Sequence, residues 1–530
     1  MIPRQPDVAK VQAACPRRSR VAFSLRGLGK AIGRLGWWRF VAGAIAGAVA
    51  LGLTFLLRTL GIGVFLPQLA VDFVVARIPG SVESFFIQTM GEGAKLLGLA
   101  VGLLVFVGLS GALAMPYRLV ERRLRKRERV LLAYAGMYAL GSLFGVLPAL
   151  GGGIAGADTA AGVGFATLSQ ILAGALFAAV LDYFLVDIAS RHPEGFSPTR
   201  RQFIVGLGFL IASAAVAIAG LGALASRTGR LTFATIEELI AKALTPTSEF
   251  YVVTKNVIDP DVDPAAWQLV VDGLVSSPRT HDLPGLRART DAEEIVTLEC
   301  VSNEVGGKLM STARWRGVRI ADLLAEAGLA PEADWIAFSC ADGYTVAAPR
   351  ARATAPGSLV AVEMNGDLLL KEHGRPARII VPGLYGMFHA KWLTRITAVQ
   401  GEFLGFWQQK GWTNRGDIRT TAIVTTPAPD AVVGSPVTVG GVACAGNRGI
   451  SRVEVSADGG TTWGDATLQT PLSATSWVLW TYAWSPPGGG AYRILARATD
   501  GLGVPQEPRS ASPFPDGASG YDAITLLVSG

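Results

Sequence analysis

Cysteine and histidine are scarce in this sequence, four of each in 530 residues, and their spacing decides which metal chemistry is open. Cys15, Cys300, Cys340 and Cys444 form no CxxC, CxxCH or mixed Cys/His cluster, so zinc sites and covalent c-type haem have no support. Four such scattered thiols are also a poor disulfide scaffold. What is left for cysteine chemistry is a single reactive or ligating thiol.

The elements that must position such a thiol divide into two unlike halves. Half of the residues are hydrophobic and the mean hydropathy is +0.38, too apolar for an ordinary soluble protein of this length. Up to Ser226 there are 22 Lys and Arg against 10 Asp and Glu; beyond it there are 26 against 31. The pI of about 9.3 therefore reflects basic flanks of apolar segments. No nucleic-acid partner is expected, because phosphate neutralisation needs cations clustered on a folded domain.

A hydrocarbon core about 30 Å thick takes roughly 20 apolar residues as a helix. Five stretches meet this: Phe40–Leu57, Leu96–Tyr117, Val130–Leu150, Phe165–Val186 and Phe203–Ser226. The fourth carries Asp182 near its end, where it reaches the interface. Gly61–Val75, broken by Pro67, Gln68 and Asp72, reads as an amphipathic segment on the membrane surface. Basic residues are retained on the cytoplasmic side. They crowd before the first span (Arg4 to Arg39), between the second and third (Arg118 to Arg129) and before the fifth (Arg191, Arg200, Arg201). The loop after the first span has only Arg58, Arg77 and Lys95, and the loop after the third has none. This places the amino terminus in the cytoplasm and the carboxy-terminal half on the periplasmic or extracellular side of the cell membrane. Thr199–Ile204, with Arg200-Arg201 and Phe203 before an apolar run, resembles a twin-arginine export signal. The only histidine before the soluble half is His192, so the spans offer no axial pair and no haem is expected.

From about Glu249 the pattern becomes short β-type runs, Trp267–Val271, Ile295–Leu298, Trp335–Phe338, Leu359–Val362 and Arg378–Val381, separated by turn signals such as Asn365-Gly366. Ile320–Ala327 has helical spacing. The reading is a mixed α+β domain. Along it stand, in order, FYVVTKN (Phe250–Asn256), WQLVVDGLV (Trp267–Val275), TLECVSNEVGG (Thr297–Gly307), STARWRGV (Ser311–Val318), DGYT (Asp342–Thr345), MNG (Met364–Gly366), EHGRPARIIVPGLYG (Glu372–Gly386), HAKWL (His389–Leu393) and GFWQQKGW (Gly405–Trp412). Together they resemble the molybdopterin-binding domain of the sulfite-oxidase family.

That resemblance implies a molybdenum–molybdopterin cofactor whose one protein ligand is the thiolate of Cys300. A soft anionic sulfur suits a redox metal. It further implies that Arg378 holds the pterin phosphate, that His373 makes a polar pterin contact, and that His389, Ala390 and Lys391 close on the cofactor. Tyr251-Val252 matches a strand start packed against the pterin, and Tyr344 a tyrosine that projects toward the reacting site as a hydrogen-bond donor. Cys340 reads as core or cofactor-lining. One departure bears on the substrate: Glu304 and Val305 stand where family members that oxidise sulfite carry two arginines. A CAGNR run at Cys444–Arg448 lies in the next domain without the surrounding motifs.

From about Thr420, strands at even spacing without helices (SPVTVGGVAC, SRVEVSAD, SWVLWTYAW, YRILARATD, YDAITLLV) argue a β-sandwich. Gly449–Trp463 resembles the family's dimerisation domain, which implies a homodimer. The expected organisation is a multi-domain chain: a cytoplasmic basic segment 1–36, an α-helical transmembrane bundle 37–226, a linker 227–248, an α+β sulfite-oxidase-type molybdopterin-binding domain 249–418, and an all-β immunoglobulin-like sandwich 419–530. The expected function is two-electron oxygen-atom transfer on a small sulfur oxyanion, sulfoxide or related oxide. The partners are the lipid membrane and a separate electron carrier such as a cytochrome or quinone-linked protein. The alternative is a metal-free binding or structural protein that keeps the family fold.

Overall fold

The computed structural model describes residues 25–90, 93–159, 161–187, 229–256 and 258–529. Cys15, His192, the Arg200-Arg201 pair and the expected span Phe203–Ser226 lie outside the described residues. The helical part comprises α1 (Leu25–Thr59), α2 (Leu66–Val75), α3 (Gly80–Met90), α4 (Gly93–Ala114), α5 (Tyr117–Leu124), α6 (Arg127–Gly141) and α7 (Gly162–Asp182). Four stretches are long and apolar enough to cross a membrane: Trp38–Thr59, Gly93–Ala114, Arg127–Ala149 and Gly162–Val186. They overlap the first four spans read from the sequence.

Small residues set how these helices meet. A Cβ on Gly43 would stand 2.4 Å from the Ala114 Cβ, and one on Gly47 2.3 Å from the Ser110 Cβ. The α1–α4 crossing is therefore backbone to backbone. Lipid tails are as apolar as leucine, so close van der Waals packing is what holds helices together there. Asp182 does not simply reach an interface. Its carboxylate is buried, takes the Arg127 Nε at 2.8 Å and accepts from the Tyr117 hydroxyl at 3.2 Å. An acid in an apolar bundle needs that pairing. The stretch read as surface-lying contains α2, whose Val71 and Pro67 pack on α4 beside Gly98 and Gly102.

The catalytic half is built on two sheets. One has the order β2-β1-β10-β5-β6, from β1 (Gln268–Gly273), β2 (Arg279–Asp282), β5 (Trp335–Cys340), β6 (Thr345–Pro349) and β10 (Leu393–Val399). The other runs β3-β4-β7-β8, from β3 (Ala292–Glu299), β4 (Met310–Arg319), β7 (Leu359–Met364) and β8 (Asp367–Leu368), with β9 (Arg378–Ile380) on β7. β1 and β10 pair in parallel, the other neighbours antiparallel. With the short helix Ile320–Glu326 this is the expected α+β arrangement.

The last part is a sandwich. One sheet has the order β11-β13-β17-β16 and the other β12-β19-β18-β14-β15. Its strands are β11 (Thr421–Thr426), β12 (Val432–Val433), β13 (Val437–Cys444), β14 (Ile450–Ser456), β15 (Gly464–Asp465), β16 (Thr467–Leu468), β17 (Val478–Trp484), β18 (Gly490–Asp500) and β19 (Asp522–Val528). Its inner face buries Trp480, Val439, Ile494 and Leu526. A second face joins the catalytic core: Ile423, Val442, Cys444, Trp477 and Leu479 belong to the same buried cluster as Trp267, Phe338 and Leu393. The Trp477 N–H donates to Thr297 Oγ1 at 2.7 Å across this junction, and Arg230 pairs with the buried Asp522.

Strand spacing in the second sheet depends on Gly317, where the β4–β7 register shifts. A Cβ there would lie 1.9 Å from the Val360 carbonyl oxygen. Gly317→Ala should cost about 1–3 kcal/mol through overpacking and lower the thermal midpoint of the purified protein. An unchanged midpoint would mean the sheet opens at no cost.

Candidate cofactor cleft and active site

Cys300 follows the last residue of β3, where the chain turns sharply. The Cys300 N–H donates to Leu309 O at 2.9 Å, and Asn303 N–H to Cys300 O at 2.9 Å. The Asn303 side chain stitches the turn together, accepting from Leu309 N–H at 3.0 Å and donating to the buried Glu299 carboxyl at 3.1 Å. Burial pushes Glu299 up to about 7. The Cys300 Sγ lies 3.0 Å from Ser302 Oγ and faces a cleft of about 920 Å³, counted to its open mouth. Gly386 packs against the same turn: a Cβ there would fall 2.5 Å from the Tyr251 hydroxyl and 3.7 Å from the Cys300 Cα.

Arg378 is the charge of this cleft. It opens β9 and is 5% exposed. Its Nη1 and Nη2 donate to the carbonyls of His373 and His389, each at 3.1 Å, while Nε has no partner. Among the described residues no carboxylate pairs with it. The guanidinium rests 4.8 Å from the Trp315 ring centroid. Burial lowers it to about 10, so it stays cationic near neutrality.

The two histidines are neutral. Burial, with Arg378 adding to it, lowers His373 to about 4; burial lowers His389 to about 3. His389 accepts from Val381 N–H on Nδ1 at 3.3 Å, so its Nε2 carries the proton and donates to Leu384 O at 3.0 Å. Its imidazole thus pins the Val381–Leu384 loop, and its carbonyl serves Arg378. His373 Nε2 donates to Thr247 O at 3.1 Å. Lys391 donates to Glu372 O at 3.0 Å and is lowered to about 8 by burial.

Tyr344 is held neutral, well above its ordinary range, by burial and then by Cys340, Asp342 and Cys300. Its hydroxyl donates to Met387 O at 2.6 Å. To donate to a substrate oxygen, the phenol must give up that bond.

Every site residue singled out from the sequence lines this one cleft: Tyr251, Val252, Cys300, Tyr344, His373, Arg378, His389, Ala390 and Lys391. Glu304 is exposed and Val305 half-buried, and neither lines it. Cys340 packs in the core behind Tyr344, its N–H donating to Tyr344 O at 3.0 Å. The CAGNR run is structural: Cys444 is in the shared core, and Arg448 donates to Asp500 at 2.8 Å and Ile418 O at 3.0 Å. Sequence reasoning missed three contributors. Lys255 lines the cleft from within FYVVTKN, Asp342 from within DGYT, and Trp315 lies under Arg378 from within STARWRGV. All three were in quoted motifs, but no spacing rule marks which motif residue turns inward.

The family described as oxidoreductase molybdopterin binding domain matches residues 256–407, and the Mo-co oxidoreductase dimerisation domain matches 413–508. The chain is 31% identical to sulfite oxidase of Gallus gallus over 314 residues, 50% of this chain and 68% of that one. It is 33% identical to mitochondrial sulfite oxidase of Mus musculus over 307 residues, 48% of this chain and 56% of that one. It is 28% identical to nitrate reductase [NAD(P)H] of Hordeum vulgare over 300 residues, 45% of this chain and 34% of that one. The chain thus spans from about a third to two thirds of the length of these relatives. Fold and cleft define a molybdopterin oxidoreductase. The chain belongs to the sulfite oxidase family.

The residues present fit the molybdenum cofactor this family implies. Among the described residues no three His, Cys, Asp or Glu side chains cluster, so a metal at Cys300 must take its remaining ligands from outside the polypeptide. A pterin dithiolene provides them. A buried cation without a carboxylate, and with its Nε–H unpartnered, is the complement of a bound phosphate. Arg378→Ala should leave the fold intact yet yield protein with far less bound pterin, assayed by fluorescence of the released pterin. Full pterin content would remove Arg378 from that role. Because Lys391 loses its proton near pH 8, sulfate used as a probe anion should bind about tenfold more weakly at pH 9 than at pH 7. Lys391→Arg should flatten that dependence; an equally steep profile in the variant would exclude Lys391 as its source.

Proposed function

We propose that this chain is a membrane-anchored molybdenum-cofactor oxidoreductase that transfers an oxygen atom to or from a small sulfur oxyanion, sulfoxide or related oxide. The observation that carries the reading is one cleft holding a buried thiol, Cys300, and a buried cation without a carboxylate, Arg378. When bound, the cofactor supplies the two-electron redox couple. Cys300 ligates the metal; Arg378, His373, Tyr251, Val252 and the His389–Lys391 stretch hold the pterin. The Tyr344 phenol, protonated at working pH, donates to the substrate oxygen. In the oxidative direction water supplies the oxygen atom, and two protons and two electrons leave. The electrons pass singly to a separate carrier, a cytochrome or quinone-linked protein.

The named relatives act on different anions, sulfite in the chicken and mouse proteins and nitrate in the barley protein, so family membership leaves the substrate open. Glu304 carries no cation into the cleft. Lys255 lies 3.5 Å from the Asp342 carboxylate, so the cations that favour a small anion or a strongly polar oxide are Lys391 and Arg378. The domain limits proposed are 36, 226, 248 and 418, with the sandwich pairing two copies.

The topology proposed puts the amino terminus inside and the catalytic half outside. The basic run Arg118–Arg129 and the loop Arg58–Lys95 lie at opposite ends of α4, and that loop touches the catalytic domain. External protease on intact spheroplasts should then digest the region beyond Ser226; complete protection would refute this. If Arg200-Arg201 directs twin-arginine export, replacing both with Lys should leave the soluble half inside.

Protein made in a molybdopterin-producing host should carry near one molybdenum per chain. It should turn over at least one of sulfite, a sulfoxide or an N-oxide with an artificial electron carrier. Cys300→Ser should reduce that turnover to background. Protein without molybdenum would instead be a binding or structural protein on the family fold.

A further inference from the structure

The segment from α2 to α4 meets the catalytic domain at two points beside the cleft. Lys95, in α4, donates its ammonium to the Thr254 carbonyl. Lys410 donates to the Val75 carbonyl at the end of α2. Beside it Gly80, which opens α3, sits so close that a Cβ would lie 2.6 Å from Lys410 O and 3.2 Å from Trp412 Cδ1. Thr254, Lys255 and Trp412 all line the cleft.

The Asp72 carboxyl, which also faces Lys255 and Arg58, faces Lys95 as well. What the lysine accomplishes becomes visible by following the bonds inward. Thr254 Oγ1 accepts from Asn256 N–H at 3.2 Å. Lys255 Nζ donates to Asp342 O at 2.8 Å, and Asn256 Nδ2 to Asp342 Oδ2 at 3.0 Å. Asp342 Oδ1 accepts from Tyr344 N–H at 3.0 Å. A continuous path thus runs from the helical half to the backbone of the tyrosine beside Cys300. The second contact leads toward the Tyr344 ring through Phe406. Lys410 lies 4.1 Å from the Phe406 ring centroid, and Phe406 is 6.0 Å from Tyr344.

We propose that Lys95 and Lys410 are positioning residues through which the membrane half sets Tyr344 in the active site, making that half part of the catalytic apparatus as well as its tether. This rests on Tyr344 being a site residue.

The test is hydrogen exchange by mass spectrometry on the full-length cofactor-loaded protein in nanodiscs, comparing wild type, Lys95→Ala and Lys95→Arg. In Lys95→Ala, peptides covering 251–256 and 340–346 should exchange roughly threefold faster or more, while peptides of β14 stay unchanged. Lys95→Arg should restore both, because a guanidinium also donates to a carbonyl. In parallel, with sulfite as the probe substrate, Lys95→Ala should change kcat more than KM, since the phenol acts on the reacting oxygen. Faster exchange at 251–256 with none at 340–346 would overturn the proposal and reduce Lys95 to a tether. Should Lys95→Ala fail to fold, a Val75→Cys, Lys410→Cys pair gives a second measurement. A bifunctional thiol reagent long enough to replace the lysine side chain should link those two positions within one chain in native membranes, and no link would overturn it. The exchange and cross-linking readouts need no turnover, so they remain decisive if the proposed substrate class is wrong.

Discussion

A guanidinium buried among carbonyls rather than carboxylates sets the terms for the catalytic domain. Taking Arg378 out of water costs several kcal/mol, and its two carbonyl bonds and the Trp315 ring return only part of that. The balance falls to an anion bound from outside. Much of the surrounding structure serves to hold this cation ready. His389 has its imidazole committed to Val381 and Leu384 so that its carbonyl is aimed at Arg378, and His373 contributes its carbonyl while its ring bonds to Thr247. Replacing either imidazole would disturb the cation as well as the cleft wall that both side chains line.

The thiol and the phenol are organised on the same plan, through backbone turns fixed by neighbouring polar side chains. Asn303 ties the turn after β3, and Asp342 ties the turn before β6. In both cases a conformationally restricted turn projects one reactive side chain, which preserves geometry better than a free loop would. Glu304 and Val305 follow the Asn303 turn and do not line the cleft.

Much of the site was legible because the motifs carry it. Cys300, Arg378, His373 and the His389–Lys391 stretch were each placed by local sequence, and the structure gathers them around one cleft. The four described apolar helices were legible from hydropathy alone, since length and composition decide a span. What was not legible depended on tertiary proximity. Nothing in the local pattern of Asp182 reveals that Arg127 and Tyr117 come to meet it. Lys95 stands more than 150 residues from its partner, and nothing in its local sequence points to Thr254. The bond from Tyr344 to Met387 likewise joins a turn and a short helix remote in sequence, so the phenol's resting partner could not be inferred from DGYT.

The junction between the catalytic domain and the sandwich has a mechanical consequence. Because Cys444, Trp477 and Ile423 are buried in the same cluster as Phe338 and Leu393, these two parts share one interior instead of abutting across a wet seam. Shared interiors melt together, and side chains packed at crystal-like density transmit displacement instead of absorbing it. Strain applied to the outer sheet, for instance by a second copy pressing on it, therefore has a packed route to the core of the catalytic domain.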